Sequence, residues 1–128
     1  FKQLNKISNI VGIKDASNDM SRPLIMRTFM KKDFNYLSGE DGTIAGFLAQ
    51  GGHGCISVTA NVAPKLTSML HYYWQKKNYK EFDKVNLRLA SLSKILFNTG
   101  SPRRKITCSL DMFIFKSSTL LSSITFPC

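Results

Sequence analysis

Residues 9–14 read Asn-Ile-Val-Gly-Ile-Lys, which is the composition of a short buried strand that ends in a lysine. Ile and Val favour a pleated, half-buried surface, and the turn-forming run at residues 15–19 ends the strand. A lysine at the end of an apolar strand loses hydration, which favours the neutral amine, and a neutral amine can form a Schiff base with a carbonyl. The alternative is that Lys14 extends its ammonium to the surface, as most lysines do.

Strands and helices alternate along the first 98 residues. The apolar patterns predict strands at residues 9–14, 34–38 and 55–59, and helices at residues 22–31, 43–50, 61–75 and 79–97. Asp19 or Ser21 can cap the first helix, and the glycine-rich residues 51–54 end the second. Three strands that alternate with helices predict right-handed βαβ units and a parallel sheet, which places the chain in the α/β class.

Lys14, Gly39 and Ile56 all fall at or just beyond the predicted carboxyl ends of strands. Active sites of α/β folds and of β/α barrels are built at that edge, so the three residues are predicted to form a site. The ordinary alternatives are a core position for Ile56 and a tight turn for Gly39. Glu40 and Asp41 could serve as an acid–base pair, although loop capping is the favoured interpretation.

Composition and charge exclude several other functions. The net charge of +10 is spread along the 128 residues without a helix-turn-helix, zinc or RNP signature, which disfavours nucleic-acid binding, and no apolar run is long enough to span a bilayer. The three cysteines form no CxxC pair, so neither a disulfide framework nor a zinc site is predicted, and a reducing, cytosolic setting is expected. His53 and His71 have no ligand partners at metal spacing, and the glycines beside His53 do not form GxGxxG, so no metal and no cofactor are predicted.

Three segments resemble the dihydrodipicolinate synthases, also called 4-hydroxy-tetrahydrodipicolinate synthases. They are GIKDAS at residues 12–17, LSGED at residues 37–41 and GGHGCISVTANVAP at residues 51–64. Their order and spacing, and the helix pair that follows, are similar to the second half of these enzymes, and the resemblance covers residues 1–98. The ISVTAN run at residues 56–61 is more similar to this family than to the N-acetylneuraminate lyases, which are the alternative among pyruvate-dependent aldolases.

The resemblance implies a chemistry for the three strand-end residues. Lys14 would form an imine with pyruvate, and the resulting enamine would attack aspartate 4-semialdehyde in lysine (diaminopimelate) biosynthesis. Ile56 would contact pyruvate through its backbone, and Gly39 would let the second strand end close to Lys14. The resemblance further implies a cytoplasmic homotetramer that needs no cofactor.

The same resemblance predicts a partial fold. A (β/α)8 barrel has eight strands in about 250 residues, and this chain is expected to form only the last three βα units together with C-terminal helices. The site groups of the family's first half match no residue here. Two strand edges are expected to lack partners, and little or no activity is expected from the chain alone. The alternative is a non-catalytic remnant of a degraded gene.

Two departures from the family pattern are visible. Asn18 stands where the family usually has Gly, and Asn is the residue best able to keep the left-handed turn expected there. Beyond residue 98 the resemblance is lost, and a Ser, Thr and Phe-rich tail without clear period follows. The sequence therefore predicts a synthase-like part at residues 1–98 and a divergent tail at residues 99–128, with a reading-frame slip as the hypothesis for its origin.

Overall fold

Three short parallel strands form a sheet in the protein, whose computed structural model describes residue 3, residues 6–98 and residues 112–116. Strand β1 spans Ile10–Asp15, β2 spans Asn35–Ser38 and β3 spans Gly54–Cys55. β1 pairs in parallel with β2, and β2 pairs in parallel with β3. The parallel sheet predicted from the sequence is confirmed.

A fourth strand, β4 (Met112–Lys116), lies at the edge of this sheet and was not predicted. It pairs antiparallel with β1, so that the strand order is β3-β2-β1-β4. The expectation that both outer edges of the parallel strands lack partners is therefore wrong on the β1 side, because β4 covers that edge. The rest of the predicted divergent tail, residues 99–111 and 117–128, lies outside the described residues.

Two six-residue helices cover one face of the sheet. Helix α1 spans Arg22–Arg27, and α2 spans Ile44–Ala49 after a short 3-10 turn. The core between helices and strands consists of buried apolar side chains, namely Ile10, Ile13, Met26, Met30, Phe34, Tyr36 and Phe47. Ile13 and Tyr36 are register partners on β1 and β2, and both belong to this core between the strands and the helices. Their neighbours along each strand therefore point to the other face, away from the helices.

Local side-chain hydrogen bonds shorten two predicted elements. The Thr28 hydroxyl donates to the Ile25 carbonyl at 2.7 Å, and α1 ends at Arg27 instead of residue 31. The third strand ends at Cys55 instead of residue 59, because residues 59–61 form a 3-10 turn. In that segment the Ser57 hydroxyl accepts a hydrogen bond from the Ala60 N–H at 2.9 Å.

The described residues form two compact units, of which the first holds the sheet with α1 and α2, and the second holds α3 (Pro64–Gln75) and α4 (Tyr79–Asn98). The two long helices occupy the predicted segments. In the second unit the Trp74 ring packs against Phe82, with 5.2 Å between ring centroids. No helix in the described part of the chain is both long and apolar enough to cross a membrane.

Candidate active site at the strand ends

Backbone hydrogen bonds join the carboxyl ends of the three parallel strands step by step. The Gly39 N–H donates to the Asp15 carbonyl at 2.7 Å, and the Ile56 N–H donates to the Ser38 carbonyl at 2.8 Å. Gly39 and Ile56 thus each lie one position beyond a strand and are bonded to the last residue of the neighbouring strand. The structure brings both residues and Lys14 to one edge of the sheet.

Lys14, Gly39 and Ile56 also share one face of that sheet. The parallel register of β1, β2 and β3 places the three positions on the same side of the pleat. The residues on either side of Lys14 face the helices, since Ile13 is 0% and Asp15 is 4% exposed. Lys14 itself is half-buried on the opposite face, which is the face that points into a closed β/α barrel.

The end of the Lys14 side chain lies beside Gly39. A Cβ placed on Gly39 would lie 2.5 Å from the Lys14 Cε and 2.8 Å from the Ala16 Cβ, whereas ordinary contacts begin at 3.4 Å. Any side chain at this position would collide with the lysine. The strand end can pass this close to Lys14 only because residue 39 is glycine.

The loop after Lys14 contains the left-handed turn that the sequence predicts. Asn18 has a φ of 64°, so the expectation that Asn can replace the family's Gly here is confirmed. The Asp19 carboxylate accepts hydrogen bonds from the Ser21 hydroxyl at 2.6 Å and the Ser21 N–H at 2.9 Å, and these bonds hold the pKa of Asp19 below its usual value. Of the two predicted caps, Ser21 occupies the cap position of α1 but makes no side-chain cap bond, so that alternative is wrong, whereas the Asp19 carboxylate accepts the N–H of the cap residue Ser21.

An ion pair between a buried aspartate and a half-buried arginine at this loop was missed by the sequence interpretation. The Arg22 Nε donates to the Asp15 Oδ2 at 2.6 Å, and the Asp15 side chain is only 2% exposed. The Ser17 N–H donates to the other carboxylate oxygen at 2.9 Å. The only available signal was a carboxylate next to Lys14 and an arginine at the start of the next helix, which is no recognised motif.

The carboxylates after β2 shape the loop around the strand end. The Glu40 Oε1 accepts the Gly42 N–H at 3.1 Å, which confirms the interpretation of Glu40 as a loop cap. The Asp41 Oδ1 lies 3.7 Å from the Cys55 Sγ, close enough to accept the thiol proton. Burial raises the pKa of the Cys55 thiol well above its usual value, and the Asp41 carboxylate adds to this effect, whereas the charge of Lys14 opposes it. Cys55 is therefore a protonated, weakly nucleophilic thiol at neutral pH.

Both histidines lie in structural settings. The His53 Nδ1 accepts the Tyr36 N–H at 3.1 Å, while the His53 N–H donates to the Tyr36 carbonyl at 2.8 Å, so the residue extends the pairing between β2 and β3. His71 is buried in α3, and its Nε2 is buried without a hydrogen-bond partner. Within the described ranges, no cluster of His, Cys, Asp and Glu side chains could hold a metal ion.

The sequence model of the dihydrodipicolinate synthetase family matches residues 1–120. The chain belongs to this family. Curated relatives include the 4-hydroxy-tetrahydrodipicolinate synthase of Bradyrhizobium diazoefficiens, 48% identical over 102 residues, and that of Rhodospirillum centenum, 49% identical over 100 residues. These matches cover 80% and 78% of this chain but 34% of each relative. The chain thus spans about a third of the length of the curated relatives it matches.

Solved structures of the family confirm the predicted fold. Dihydrodipicolinate synthase from Aquifex aeolicus matches with a TM-score of 0.72 and 28% identity, over 79% of this chain and 34% of its own. The chloride-inhibited dihydrodipicolinate synthase from Acinetobacter baumannii, solved in complex with pyruvate, matches with a TM-score of 0.68 and 36% identity, over 79% and 35%. The described residues therefore have the fold of part of a β/α barrel, with about three βα units.

Proposed function

We propose that Lys14 is the nucleophile of a synthase that condenses pyruvate with aspartate semialdehyde. The Lys14 amine attacks the ketone carbon of pyruvate, water leaves, and an imine joins the two. Loss of a proton from the former methyl carbon gives an enamine, and that carbon then forms a bond to the aldehyde carbon of the second substrate. The aldehyde oxygen takes up a proton, and the amino group of the second substrate then attacks the imine carbon, which closes a ring, breaks the bond to Lys14 and restores the lysine amine.

The observation that carries this proposal is the bare backbone of Gly39 against Lys14. Because residue 39 has no side chain, the Lys14 side chain can lie beside the end of β2. This contact holds the lysine at the strand ends, where β/α barrels build their active sites, whereas a lysine that only extends to solvent needs no such contact. The curated relatives of this family are named synthases, and this name supports the choice of reaction, which the geometry alone does not specify.

Gly39 and Ile56 take supporting roles in this proposal. Gly39 leaves room for the Lys14 side chain at the end of β2. The Ile56 N–H is already bonded to Ser38, so we propose that Ile56 contacts pyruvate through its carbonyl.

The remaining site groups must come from the rest of a barrel. A closed barrel has eight strands, and the described residues provide three parallel ones. We therefore propose that the 128-residue chain alone has little or no turnover. For the complete site we propose a role in lysine and diaminopimelate biosynthesis, in a homo-oligomer of the cytoplasm that needs no cofactor.

Borohydride trapping tests the proposal. The chain is incubated with pyruvate and sodium borohydride, alone and after co-folding with the segment that precedes the matched region in the Bradyrhizobium relative. Reduction of an imine leaves a carboxyethyl group on the lysine, which peptide mass spectrometry locates. We expect this group on Lys14 above the background of the other lysines, and more of it in the co-folded sample.

A Lys14→Arg variant is the control, because arginine keeps the charge but cannot form the imine. If no adduct forms on Lys14 even with the complementary segment, the proposal is wrong and the chain is a non-catalytic member of the family. Adducts spread evenly over the exposed lysines would contradict it as well.

A further inference from the structure

We propose that the ion pair between the buried Asp15 and the half-buried Arg22 is a positioning device, which holds Lys14 against Gly39 on the face of the sheet that points away from α1 and α2. The inference rests on the proposed function, because it concerns the orientation of the proposed nucleophile. Neither Asp15 nor Arg22 touches the reacting amine in this scheme. They act from the opposite face of the strand.

Three parts of the molecule are hydrogen-bonded to Asp15, the last residue of β1. Its Oδ2 accepts the Arg22 Nε at 2.6 Å, and its Oδ1 accepts the Ser17 N–H at 2.9 Å. Its backbone carbonyl accepts the Gly39 N–H at 2.7 Å. The loop after β1, the start of α1 and the residue after β2 are thus all bonded to the residue next to Lys14.

Strand geometry transmits this anchoring to Lys14. Successive side chains of a strand point to opposite faces, so fixing the Asp15 side chain among the helices fixes the rotation of the strand at Lys14. The Gly39 N–H bond holds the same peptide from the side. With both constraints in place, the Lys14 side chain has one direction in which to leave the backbone.

The loop between β1 and α1 places Arg22 within hydrogen-bond distance of the Asp15 carboxylate. Asn18 turns the chain with its φ of 64°. The Asp19 carboxylate then holds Ser21 through two hydrogen bonds, and the Asp19 carbonyl accepts the Arg22 N–H at 3.2 Å. Arg22 is the first residue of α1, so its guanidinium reaches Asp15 from the helix that covers the sheet.

The net stability that this ion pair contributes does not by itself explain why the protein has it. An ion pair with a buried member contributes little stability compared with well-packed apolar residues, whereas removal of Arg22 leaves the Asp15 charge, which is only 2% exposed, without its partner and is strongly destabilising. Substitution of Asp15 or Arg22 alone therefore mixes the two effects. Substitution of both separates them, because no unpaired buried charge remains.

The test measures the acylation rate of Lys14 by a dilute anhydride in the full 128-residue chain, relative to that of the exposed Lys65 in the same sample. The chains compared are the parent, Asp15→Asn, Arg22→Met and the double variant, each with its thermal midpoint. We expect the Lys14-to-Lys65 ratio to rise about threefold or more in all three variants, because a lysine released from its contacts is more exposed to the reagent. In the double variant the midpoint should return toward that of the parent while the ratio stays high.

Two controls separate positioning from a general loss of structure. Arg22→Lys keeps the charge and should restore a ratio close to that of the parent. Glu81→Gln removes an exposed ion pair of the same 2.6 Å length in α4, between Lys84 and Glu81, and should leave the ratio unchanged. If the ratio does not change in any variant, or returns to the parental value together with the midpoint in the double variant, the proposal is overturned.

Trapping with pyruvate keeps the two proposals distinguishable. In the co-folded sample the double variant should yield roughly tenfold less Lys14 adduct or lower, since small misplacements of reacting groups are costly in rate. A full parental yield in the double variant contradicts the positioning role. A parent chain without any Lys14 adduct refutes the proposed function instead, and the acylation ratio still decides whether the pair holds Lys14.

Discussion

Replacement of Gly39 by alanine should remove the reactivity of Lys14 while the fold persists. The added Cβ would lie 2.5 Å from the Lys14 Cε and 2.8 Å from the Ala16 Cβ, well inside the 3.4 Å at which ordinary contacts begin. The end of the lysine side chain must therefore retreat by about 1 Å, and a misplacement of that size at reacting atoms costs on the order of 100-fold in rate.

The contact with Ala16 adds a cost in stability. Its Cβ is attached directly to the backbone and cannot rotate away, so the two chain segments must separate slightly. Overpacking of this kind costs typically about 1–3 kcal/mol in the free energy of unfolding. A domain of this size can remain folded after such a loss, since native stabilities are about 5–15 kcal/mol.

The assay is the rate of borohydride trapping with pyruvate at Lys14 in the co-folded sample, with circular dichroism and a urea titration to follow the fold. Gly42→Ala is the matched control, because the nearest atom to its added Cβ is the Glu40 Oε1 at 3.4 Å, an ordinary contact. The control should react like the parent. A folded Gly39→Ala chain that traps pyruvate at the parental rate would refute the reasoning.

Three further predictions concern titration, thiol reactivity and the sheet edge. Burial lowers the pKa of His71, and burial together with the positive charge of Arg27 lowers the pKa of His53. Below the usual value of 6.5 the unfolded chain therefore binds more protons than the folded chain. The free energy of unfolding should thus fall as the pH drops from about 7 to about 5. Urea midpoints should show this fall, and His71→Gln should reduce it more than His53→Gln because His71 is the more deeply buried of the two; an unchanged slope in both variants contradicts the assignment. Iodoacetamide should alkylate Cys55 at least about tenfold more slowly in the folded chain than in urea, because its thiol is protonated, and equal rates would contradict this. Truncation after residue 98 removes β4, so backbone hydrogen exchange of β1 should accelerate and self-association should rise, and unchanged exchange would show that β4 does not protect this edge.

Apolar runs were sufficient to predict where the parallel strands and long helices lie. Strands β1 and β2 agree with their predicted segments to within one residue at each end, because β-branched residues bounded by turn-forming ones leave few alternatives. The third strand ends early at Cys55, although the residues that follow are β-branched in part. A single hydroxyl at Ser57 offers the backbone a local hydrogen bond that competes with the ladder, and such competition is invisible in a hydrophobic pattern.

The candidate site was predictable because the sequence pattern locates the carboxyl ends of the strands, where the active sites of α/β folds lie. Lys14, Gly39 and Ile56 were found because each comes at or just after an apolar run, and the structure places all three on one edge and one face. The Asp15–Arg22 pair was not found, since two opposite charges on either side of a loop meet only if the loop folds back. β4 was missed because the tail that contains it has no recognisable period.

The direction of Lys14 and its activation depend on different parts of the protein. Its direction is set by contacts within residues 14–39, namely the anchored Asp15 on one face and the bare Gly39 on the other. Under the proposed function, its activation would require groups that bind a ketoacid and move protons on the same face, where the described part of the sheet offers three strand ends. In a closed barrel every strand has two barrel neighbours, and β1 has β2 on one side but the antiparallel β4 on the other. Closure around Lys14 therefore requires that β4 leave the edge of β1, so the strand that protects this chain also competes with the partner that would complete its site.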